Sequence, residues 1–339
     1  MIKISIVSTI YNKEKFLKKH VSSLINQSIK EVEFIFVNDG STDSSLDILN
    51  NLTKNDSRVK IINQSNQGPN IARKEGFKVA HGEYVYFIDS DDSISDNNVL
   101  QNLCNIIDKN KPDCICAQII NQYDNKDVVD LCIYGTNLVE KKYPISYMYD
   151  KLFRPSLCYK IFKRELISDD DFVNERNFED CYFSYSVLNK CKSIYTYPKA
   201  IYKVNRKNEN NNSLSSNLDT NKISNKYNLL KKIQSNFRDF DISIKKMYTK
   251  TFLDDLNLSC LLNYREAKEL IKILQQEKSN VSFENGLITS NHYKRIKIFR
   301  YFYLNIITNR IISYYKSGVL GLKIIVKKIL GVKKWKRKY

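Results

Sequence analysis

An apolar run that ends abruptly in a cluster of carboxylates constrains this chain more than any other feature. The run at residues 84–88 is aromatic and β-branched, as a strand buried in a parallel sheet requires, and Asp89-Ser90-Asp91-Asp92 follows it. Open α/β sheets bind ligands at the carboxyl ends of their strands. Crowded carboxylates repel one another unless a cation neutralises them, and hard oxygen ligands suit Mg²⁺ or Mn²⁺. The stretch therefore predicts a metal site that holds a diphosphate. The alternative is a solvated acidic turn that caps a helix beginning near Asn97.

The residues before this run alternate between two apolar patterns. Continuous apolar runs predict strands at residues 3–8, 32–37 and 59–62, and apolar residues at helical spacing predict a helix after each of them. This βαβ alternation predicts an α/β fold with a mostly parallel central sheet and right-handed crossovers.

Polar residues follow the predicted strands where each strand ends. Thr9 and Tyr11 follow the first strand, Asp39 follows the second, and Asp89, Asp91 and Asp92 follow the fourth. Because the carboxyl ends of parallel strands share one edge of a sheet, these residues should meet there. The region lacks both GxGxxG and a phosphate-binding lysine loop, so the diphosphate should depend on a metal.

The pattern changes twice further along the chain. From about residue 96 the signals are weaker, with strands predicted at 114–120, 128–134, 157–162 and 193–197 and helices at 99–109 and 178–188. From residue 221 onward the apolar spacing is helical throughout. We therefore predict a first domain at residues 1–220, composed of halves 1–95 and 96–220, and a helical region at 221–339.

Composition excludes several classes of protein. The eight cysteines form no CxxC pair and only three histidines are present, which argues against a zinc site and a Ser-His-Asp enzyme. No secretory signal or run of eighteen apolar residues is evident, so the expected location is cytoplasmic. Fourteen of the 55 Lys and Arg residues, and no acidic residue, follow Glu284, so the net charge of +18 belongs mainly to the tail.

Five blocks of residues 1–95 resemble glycosyltransferase family 2, whose members have the GT-A fold. The blocks occur in the order and at the spacing typical of that family. They are Val7-Ser-Thr-Ile-Tyr11-Asn12, Ser23-Leu-Ile-Asn-Gln27-Ser28, Val37-Asn-Asp39-Gly-Ser-Thr-Asp43, Asn66-Gln-Gly68-Pro-Asn-Ile-Ala72-Arg73 and Gly82-Glu-Tyr84 through Asp92. The resemblance is dense to residue 95, thins to isolated positions up to about Ser213, and is absent beyond. It implies that residues 1–95 are the nucleotide-sugar-binding half, or donor side, of the first domain and that residues 96–220 are its acceptor-side half.

The resemblance implies a nucleotide-sugar donor, most often a UDP-sugar, and transfer of a hexosyl or acetylhexosaminyl group with inversion. It implies that Asp39 accepts a hydrogen bond from the base and that Asp91 and Asp89 form the DxD pair that holds Mn²⁺ or Mg²⁺. The remaining nucleotide-sugar-binding positions that it implies are Thr9, Tyr11, Asn12, Gly68, Arg73, Ser90 and Asp92. Two residues depart from the family pattern: Asn38 replaces a second acid, and Lys74 replaces an Asn.

A second acidic motif, Phe178-Glu179-Asp180, resembles the family's motif that precedes a helix. Inverting transfer needs a base for the acceptor hydroxyl, and Asp180 is the candidate, with Glu179 orienting the acceptor or the helix. The alternative is that Asp180 caps the helix. Arg206, in a segment that loosely resembles the family, could reach the diphosphate or could be a solvated surface residue.

The tail at residues 290–339 has two apolar faces at helical spacing, flanked by Lys and Arg. This pattern is typical of a helix in the interface of an anionic membrane, and it would place the enzyme on the inner face of the cytoplasmic membrane. The alternative is packing on the helical region or on a second copy of the chain, as a homo-oligomer. Nucleic acid is not favoured, because nucleic-acid arms do not need such apolar faces.

The leading function is an inverting glycosyltransferase that acts on a hydroxyl of a glycan or lipid-linked acceptor in cell-surface polysaccharide or oligosaccharide synthesis. Two other classes use the same residues. One is a metal-dependent nucleotidyl- or phosphotransferase. The other is a catalytically silent scaffold subunit that resembles a glycosyltransferase.

Overall fold

The computed structural model of the protein describes residues 1–133, 137–175, 178–206, 220–244 and 247–248, together with Thr251 and Asp255. The chain forms two compact units, Met1–Met247 and Tyr248–Tyr339. The predicted tail at 290–339 lies outside the described residues, as does most of the predicted helical region. The predicted domain division at residue 220 stays a prediction.

The first part of the chain is the alternating array that its apolar pattern predicts. In chain order it comprises β1 (Ile4–Ile10), α1 (Glu14–Ile25), β2 (Val32–Asp39), α2 (Ser45–Thr53), β3 (Val59–Gln64), α3 (Pro69–Lys78) and β4 (Tyr84–Asp89). The four strands are parallel and lie in the order β3-β2-β1-β4. All four therefore end at the same edge of the sheet, which we call the carboxyl edge.

The later strands make the sheet mixed. The elements are β5 (Ser93–Ile94), α4 (Val99–Asn110), β6 (Cys114–Gln122), β7 (Asp127–Asp130), β8 (Lys141–Pro144), β9 (Lys160–Lys163), α5 (Glu179–Leu188), β10 (Ser193–Asn205) and α6 (Thr220–Asn236). The sheet continues from β4 as β9-β6-β10-β5, with β7 beside β6 and β8 beside β10. Strands β6 and β10 are parallel, and the other new neighbours are antiparallel. The predicted α/β class is confirmed. The predicted parallel arrangement of the strands holds for β1 to β4, whereas the sheet as a whole is mixed.

Several boundaries in the second half differ from those predicted. The predicted strand at 157–162 begins as a 3-10 turn, Leu157–Tyr159, and becomes β9 only at Lys160. Strand β7 is shorter than predicted, and β10 continues to Asn205, well past Tyr197. Pro198 explains why the predicted end of β10 was too early, because a proline within an apolar run usually ends a strand. Here β10 accommodates it with register shifts between Tyr197 and Tyr202.

A glycine lets α3 lie directly on the sheet. A Cβ atom at Gly76 would come within 2.4 Å of Val7 Cγ1 and 3.0 Å of Val37 Cγ2, so no larger residue fits without displacing the helix. Arg73 precedes Gly76 by three residues and lies on the same helix face. Its side chain is consequently buried.

Aromatic packing places the start of α5 beside the end of β4. The ring centroids of Phe87 in β4 and Phe183 in α5 are 5.3 Å apart, edge to face, and Phe172 packs against both rings at 6.0 and 4.9 Å. Such contacts add to the hydrophobic burial of the rings. They bring the second acidic motif to the carboxyl edge. Among the described residues, no helix is long and apolar enough to cross a membrane.

A buried carboxylate anchors the opposite end of the first strands. Glu33 in β2 accepts hydrogen bonds from Ser5 Oγ (2.6 Å), Lys60 Nζ (2.9 Å) and the His81 backbone N–H (2.6 Å). Burial alone would raise the pKa of Glu33, but these donors lower it below its ordinary value. Glu33 therefore ties β1, β3 and the end of α3 together as a charged group.

We expect Glu33→Gln to lower the free energy of unfolding at pH 7 by about 2 kcal/mol, because it removes charge-assisted hydrogen bonds. The folded-state pKa lies below the unfolded value, so the contribution of Glu33 is complete above about pH 4.5 and is lost as the pH falls through the folded pKa. The stability difference between wild type and variant should therefore shrink below pH 4.5. Urea unfolding at several pH values measures it. Glu31→Gln, at an exposed neighbouring position, is the control, and an equal effect of both variants would contradict the prediction.

Candidate active site

Hydrogen bonds join the turns that follow β1 and β2. The Asn12 N–H donates to Ser41 Oγ (3.1 Å), and Asn12 Oδ1 accepts from the Thr42 N–H (2.8 Å). Asn12 has a left-handed backbone (φ 51°), which asparagine tolerates better than most residues. The adjacent Tyr11 ring is 46% exposed. The two turns, residues 11–12 and 41–42, are thus joined by hydrogen bonds into one ledge, called the Tyr11 ledge below, that presents Tyr11 to solvent.

Asp39 is buried at the end of β2 and organises the next turn. Its Oδ1 accepts from Gln64 Nε2 (2.8 Å) and the Gln67 N–H (2.9 Å), and its Oδ2 accepts from the Gly68 N–H (2.9 Å). Gly68 is the N-cap of α3 with φ 92°, a conformation that favours glycine. Asp39 therefore has a fixed orientation at the carboxyl edge.

Arg73 joins the two acidic motifs. Its Nη1 donates to Glu179 Oε1 (2.9 Å) and its Nη2 donates to Asp89 Oδ1 (3.2 Å). Burial disfavours the charged form of Arg73, but Asp89 and Glu179 together raise its pKa. Burial raises the pKa of Glu179, and Arg73 opposes that shift. The DxD motif and the Glu179-Asp180 motif are thus adjacent in space, although about ninety residues separate them in the sequence.

The other two aspartates of the first cluster have different surroundings. Asp91 Oδ2 accepts from Lys13 Nζ at 2.7 Å. Asp92 is buried, and its Oδ1 accepts from the Asn205 N–H (2.7 Å). Burial raises the pKa of Asp92 well above its ordinary value, and the nearby Asp91 and Asp89 charges raise it further. Asp91 is therefore placed to bind a cation, whereas Asp92 anchors the end of β10.

Two further side chains hold this cluster in place. The Tyr202 hydroxyl accepts from the Asp89 N–H (2.9 Å). His20 Nδ1 lies 2.8 Å from the Asp92 carbonyl oxygen and its Nε2 lies 2.8 Å from Ser8 Oγ. Burial lowers the pKa of His20. The neutral His20 side chain therefore links β1 to the loop that contains Asp92 through hydrogen bonds.

The two acidic motifs differ in their relation to the helices that follow them. Helix α4 begins at Val99 after the N-cap Asn98, well beyond Asp92, so the capping alternative for the first cluster is wrong. Helix α5 begins at Glu179 after Phe178 at the N-cap position, and no side-chain hydrogen bond caps it. Asp180 lies in the first turn of α5, where an acid stabilises the helix dipole, so the capping alternative for Asp180 stays a prediction. Phe178 has a left-handed backbone (φ 65°), a strained conformation that is typical of functional sites. Asp180 is partly exposed in the first turn of α5.

The donor atoms at the carboxyl edge suit a divalent cation that also binds substrate. No group of three or more His, Cys, Asp or Glu side chains that could hold a metal occurs among the described residues. Mg²⁺ and similar ions are commonly held by one or two carboxylates together with substrate phosphates. Asp91 and Asp89 fit this arrangement, and each already binds a protein cation.

The structure brings most of the predicted residues together. Thr9 lies directly beside Asp89 in the sheet register, and Ser90 is buried within the cluster. Arg206 is exposed, and its Nε donates to Asn121 Oδ1 (3.2 Å) rather than to an aspartate. The sequence reasoning assigned no site role to Lys13, His20, Tyr202 or Asn205. Two of these residues had a visible signal: Lys13 directly follows the matching block that ends at Asn12, and Tyr202 begins the segment with Arg206 that loosely resembles the family.

Comparison with known proteins gives the class. A family model described as Glycosyl transferase family 2 matches residues 5–170. The crystal structure of Staphylococcus aureus TarS 1–349 with UDP-GlcNAc is similar, with a TM-score of 0.66, 21% identity and coverage of 88% of this chain and 84% of that one. The mannosyltransferase PcManGT from Pyrobaculum calidifontis with GDP-Man and Mn²⁺ gives a TM-score of 0.52 at 9% identity, covering 98% and 88%. Residues 5–170 thus belong to glycosyltransferase family 2, and the described part of the chain has the GT-A fold.

Relatives match over different lengths. The uncharacterized glycosyltransferase EpsJ of Bacillus subtilis is 27% identical over 61% of this chain and 62% of its own length. The cholesterol galactosyltransferase of Borreliella burgdorferi is 27% identical over 84% of this chain and 85% of its own. For glycosyltransferases of Haemophilus influenzae and Streptococcus pneumoniae, the chain spans only 40% and 30% of the relative.

We expect Arg73→Met to lower the free energy of unfolding by about 3–5 kcal/mol, because it leaves the buried Glu179 carboxylate without its partner. Glu179→Leu should also destabilise, and the double variant should be about 1–3 kcal/mol more stable than the sum of the two effects predicts. Urea unfolding of the four proteins measures this coupling. Lys74→Met, which removes only the pair with the exposed Asp169, should cost less than about 1 kcal/mol. Simple addition of the Arg73 and Glu179 effects would contradict the prediction.

Proposed function

We propose that this protein is an inverting glycosyltransferase that moves a hexose or N-acetylhexosamine from a UDP-sugar to a hydroxyl of a glycan or lipid-linked acceptor in cell-surface glycan synthesis. The observation that carries the proposal is the Arg73 bridge, which holds Asp89 and Glu179 on one guanidinium. Donor-side and acceptor-side carboxylates are therefore adjacent. The similar structures that hold UDP-GlcNAc and UDP support the donor class.

In the proposed site, the Tyr11 ledge and Asp39 bind the base and ribose, and Asp91 and Asp89 hold the divalent cation. Mn²⁺ or Mg²⁺ bound there would offset the charge that develops on the departing nucleoside diphosphate. The similar mannosyltransferase structure with Mn²⁺ supports this ion.

Asp180 accepts the proton of the acceptor hydroxyl while that oxygen attacks the anomeric carbon. The bond from this carbon to the diphosphate breaks as the new glycosidic bond forms, so the configuration inverts in a single displacement. Glu179 is held by Arg73, which positions the start of α5 and leaves Asp180 as the base. The proposed acceptor class is consistent with the relative named as a cholesterol galactosyltransferase, which matches most of this chain.

We expect Asp180→Asn to lower turnover about 100-fold or more while nucleotide binding is retained, because an amide cannot accept the proton. A screen of nucleotide sugars for Mn²⁺-dependent binding to the full chain identifies the donor, and hydrolysis of that donor by the wild type and the variant is then compared. Asp170→Asn, at an exposed acid, is the matched control and should keep wild-type hydrolysis.

The products separate the three functional classes. Release of a nucleoside diphosphate supports the transferase. Release of pyrophosphate from a nucleoside triphosphate supplied together with a sugar phosphate, or transfer of phosphate, would show a nucleotidyl- or phosphotransferase, and nucleotide binding without turnover by the wild type would show a silent scaffold subunit. Full hydrolysis by Asp180→Asn would eliminate Asp180 as the base.

For the cellular location, we propose peripheral attachment to the inner face of the cytoplasmic membrane through residues 290–339. This segment has Lys and Arg without acidic residues, interleaved with apolar residues. The full chain should float with liposomes that contain anionic lipid, and a chain ending near Ser290 should not. Equal flotation of the two chains would eliminate the membrane role of this segment.

A further inference from the structure

Each aspartate of the DxD pair forms an ion pair with a basic side chain of the protein. Lys13 Nζ lies 2.7 Å from Asp91 Oδ2, and Arg73 Nη2 lies 3.2 Å from Asp89 Oδ1. The Lys13 and Asp91 side chains are only 22% and 15% exposed. This ion pair is therefore better shielded from water than an ordinary surface pair, whereas Asp89 is half exposed.

The two cations differ in their freedom to move. Arg73 is buried and is also bound to Glu179, so it is fixed. Lys13 is at the N-cap position of α1 and directly follows Asn12 of the Tyr11 ledge. A lysine has a flexible four-carbon stem that ends in a compact charge. Its ammonium can therefore leave Asp91 without any change in the backbone.

We infer that Lys13 is an internal counter-ion that exchanges partners: it neutralises Asp91 in the free protein and pairs with the donor diphosphate when a divalent cation binds Asp91. An ammonium and a divalent cation repel each other at one carboxylate, which favours the departure of Lys13 when the metal binds Asp91. The diphosphate that accompanies the metal is then the nearest anion. This inference rests on the proposed function, because it requires a site for metal and nucleotide at the carboxyl edge.

The exchange has a thermodynamic consequence. Without nucleotide, metal binding must break the pair between Lys13 and Asp91, so it is weak. A bound nucleoside diphosphate provides a second anion for Lys13 and removes that cost. Metal and nucleotide therefore strengthen each other's binding by the same factor. Lys13 is thus a binding residue that limits metal binding until the donor is present.

The test compares wild type with Lys13→Met in titrations of the full chain with Mn²⁺ alone, with UDP in saturating Mn²⁺, and with Mn²⁺ in saturating UDP. Without UDP, the variant should bind Mn²⁺ about three- to tenfold more tightly, because no cation has to be displaced from Asp91. In Mn²⁺ it should bind UDP about tenfold more weakly, because one charge-assisted hydrogen bond is lost. The factor by which UDP strengthens Mn²⁺ binding should fall about three- to tenfold.

Two variants make the outcome decisive. Lys18→Met removes an exposed lysine of the same helix and should leave all three titrations unchanged. Lys13→Arg keeps the charge and should retain weak Mn²⁺ binding without UDP. Unchanged or weaker Mn²⁺ binding by Lys13→Met, in a wild type that takes up UDP with Mn²⁺, would overturn the exchange alone. Absence of UDP uptake by the wild type would overturn the proposed function and the exchange with it.

Discussion

One buried guanidinium determines how the two halves of the site fit together. Arg73 lies in residues 1–95 and binds one carboxylate there, that of Asp89, and one in the second acidic motif, that of Glu179. A buried charge is tolerated only with close partners, so the folded chain must place Asp89 and Glu179 on either side of Arg73. Gly76 makes this possible, because it lets α3 approach the sheet closely enough to bury Arg73 at the carboxyl edge. The close packing of α3 on the sheet and the ion pairs of Arg73 thus jointly determine the geometry of the site.

Closely spaced carboxylates at this edge are stabilised in different ways. Burial raises the pKa of Asp92, and the backbone N–H of Asn205 that its carboxyl accepts opposes that shift. Asp91 and Asp89 are paired with Lys13 and Arg73. Because these partners differ in burial and mobility, the three residues cannot have equivalent roles. Asp92 is a structural anchor, Asp89 is bound to a fixed cation, and Asp91 is bound to a cation that can move.

The sequence was informative where structure is local. Strands β1 to β4 and their helices follow from short apolar runs and helical spacing, and the residues after those strands share one edge because the strands are parallel. Strands β5 and β8 could not be predicted, because antiparallel pairing between distant segments leaves no periodic signal in so short a run, and Pro198 concealed the later part of β10. The same holds for Tyr202 and Asn205, which reach Asp89 and Asp92 from more than 100 residues away.

A departure from the family pattern shows why motifs locate a site better than they define its contacts. Asn38, where the resemblance implies an acid, donates from Nδ2 to Asn63 Oδ1 (2.6 Å) and accepts from the Ser41 N–H (3.3 Å). Its hydrogen bonds are thus directed at the scaffold, and the adjacent Asp39 is left as the ionisable group at the end of β2. Three donors already bind the Asp39 carboxylate. A carboxylate accepts about four hydrogen bonds, so room for one more donor is left, in an orientation that the protein has fixed beforehand. In the proposed function, the N–H of a uracil base is that donor, and the base is recognised by a group that does not have to reorganise to bind it.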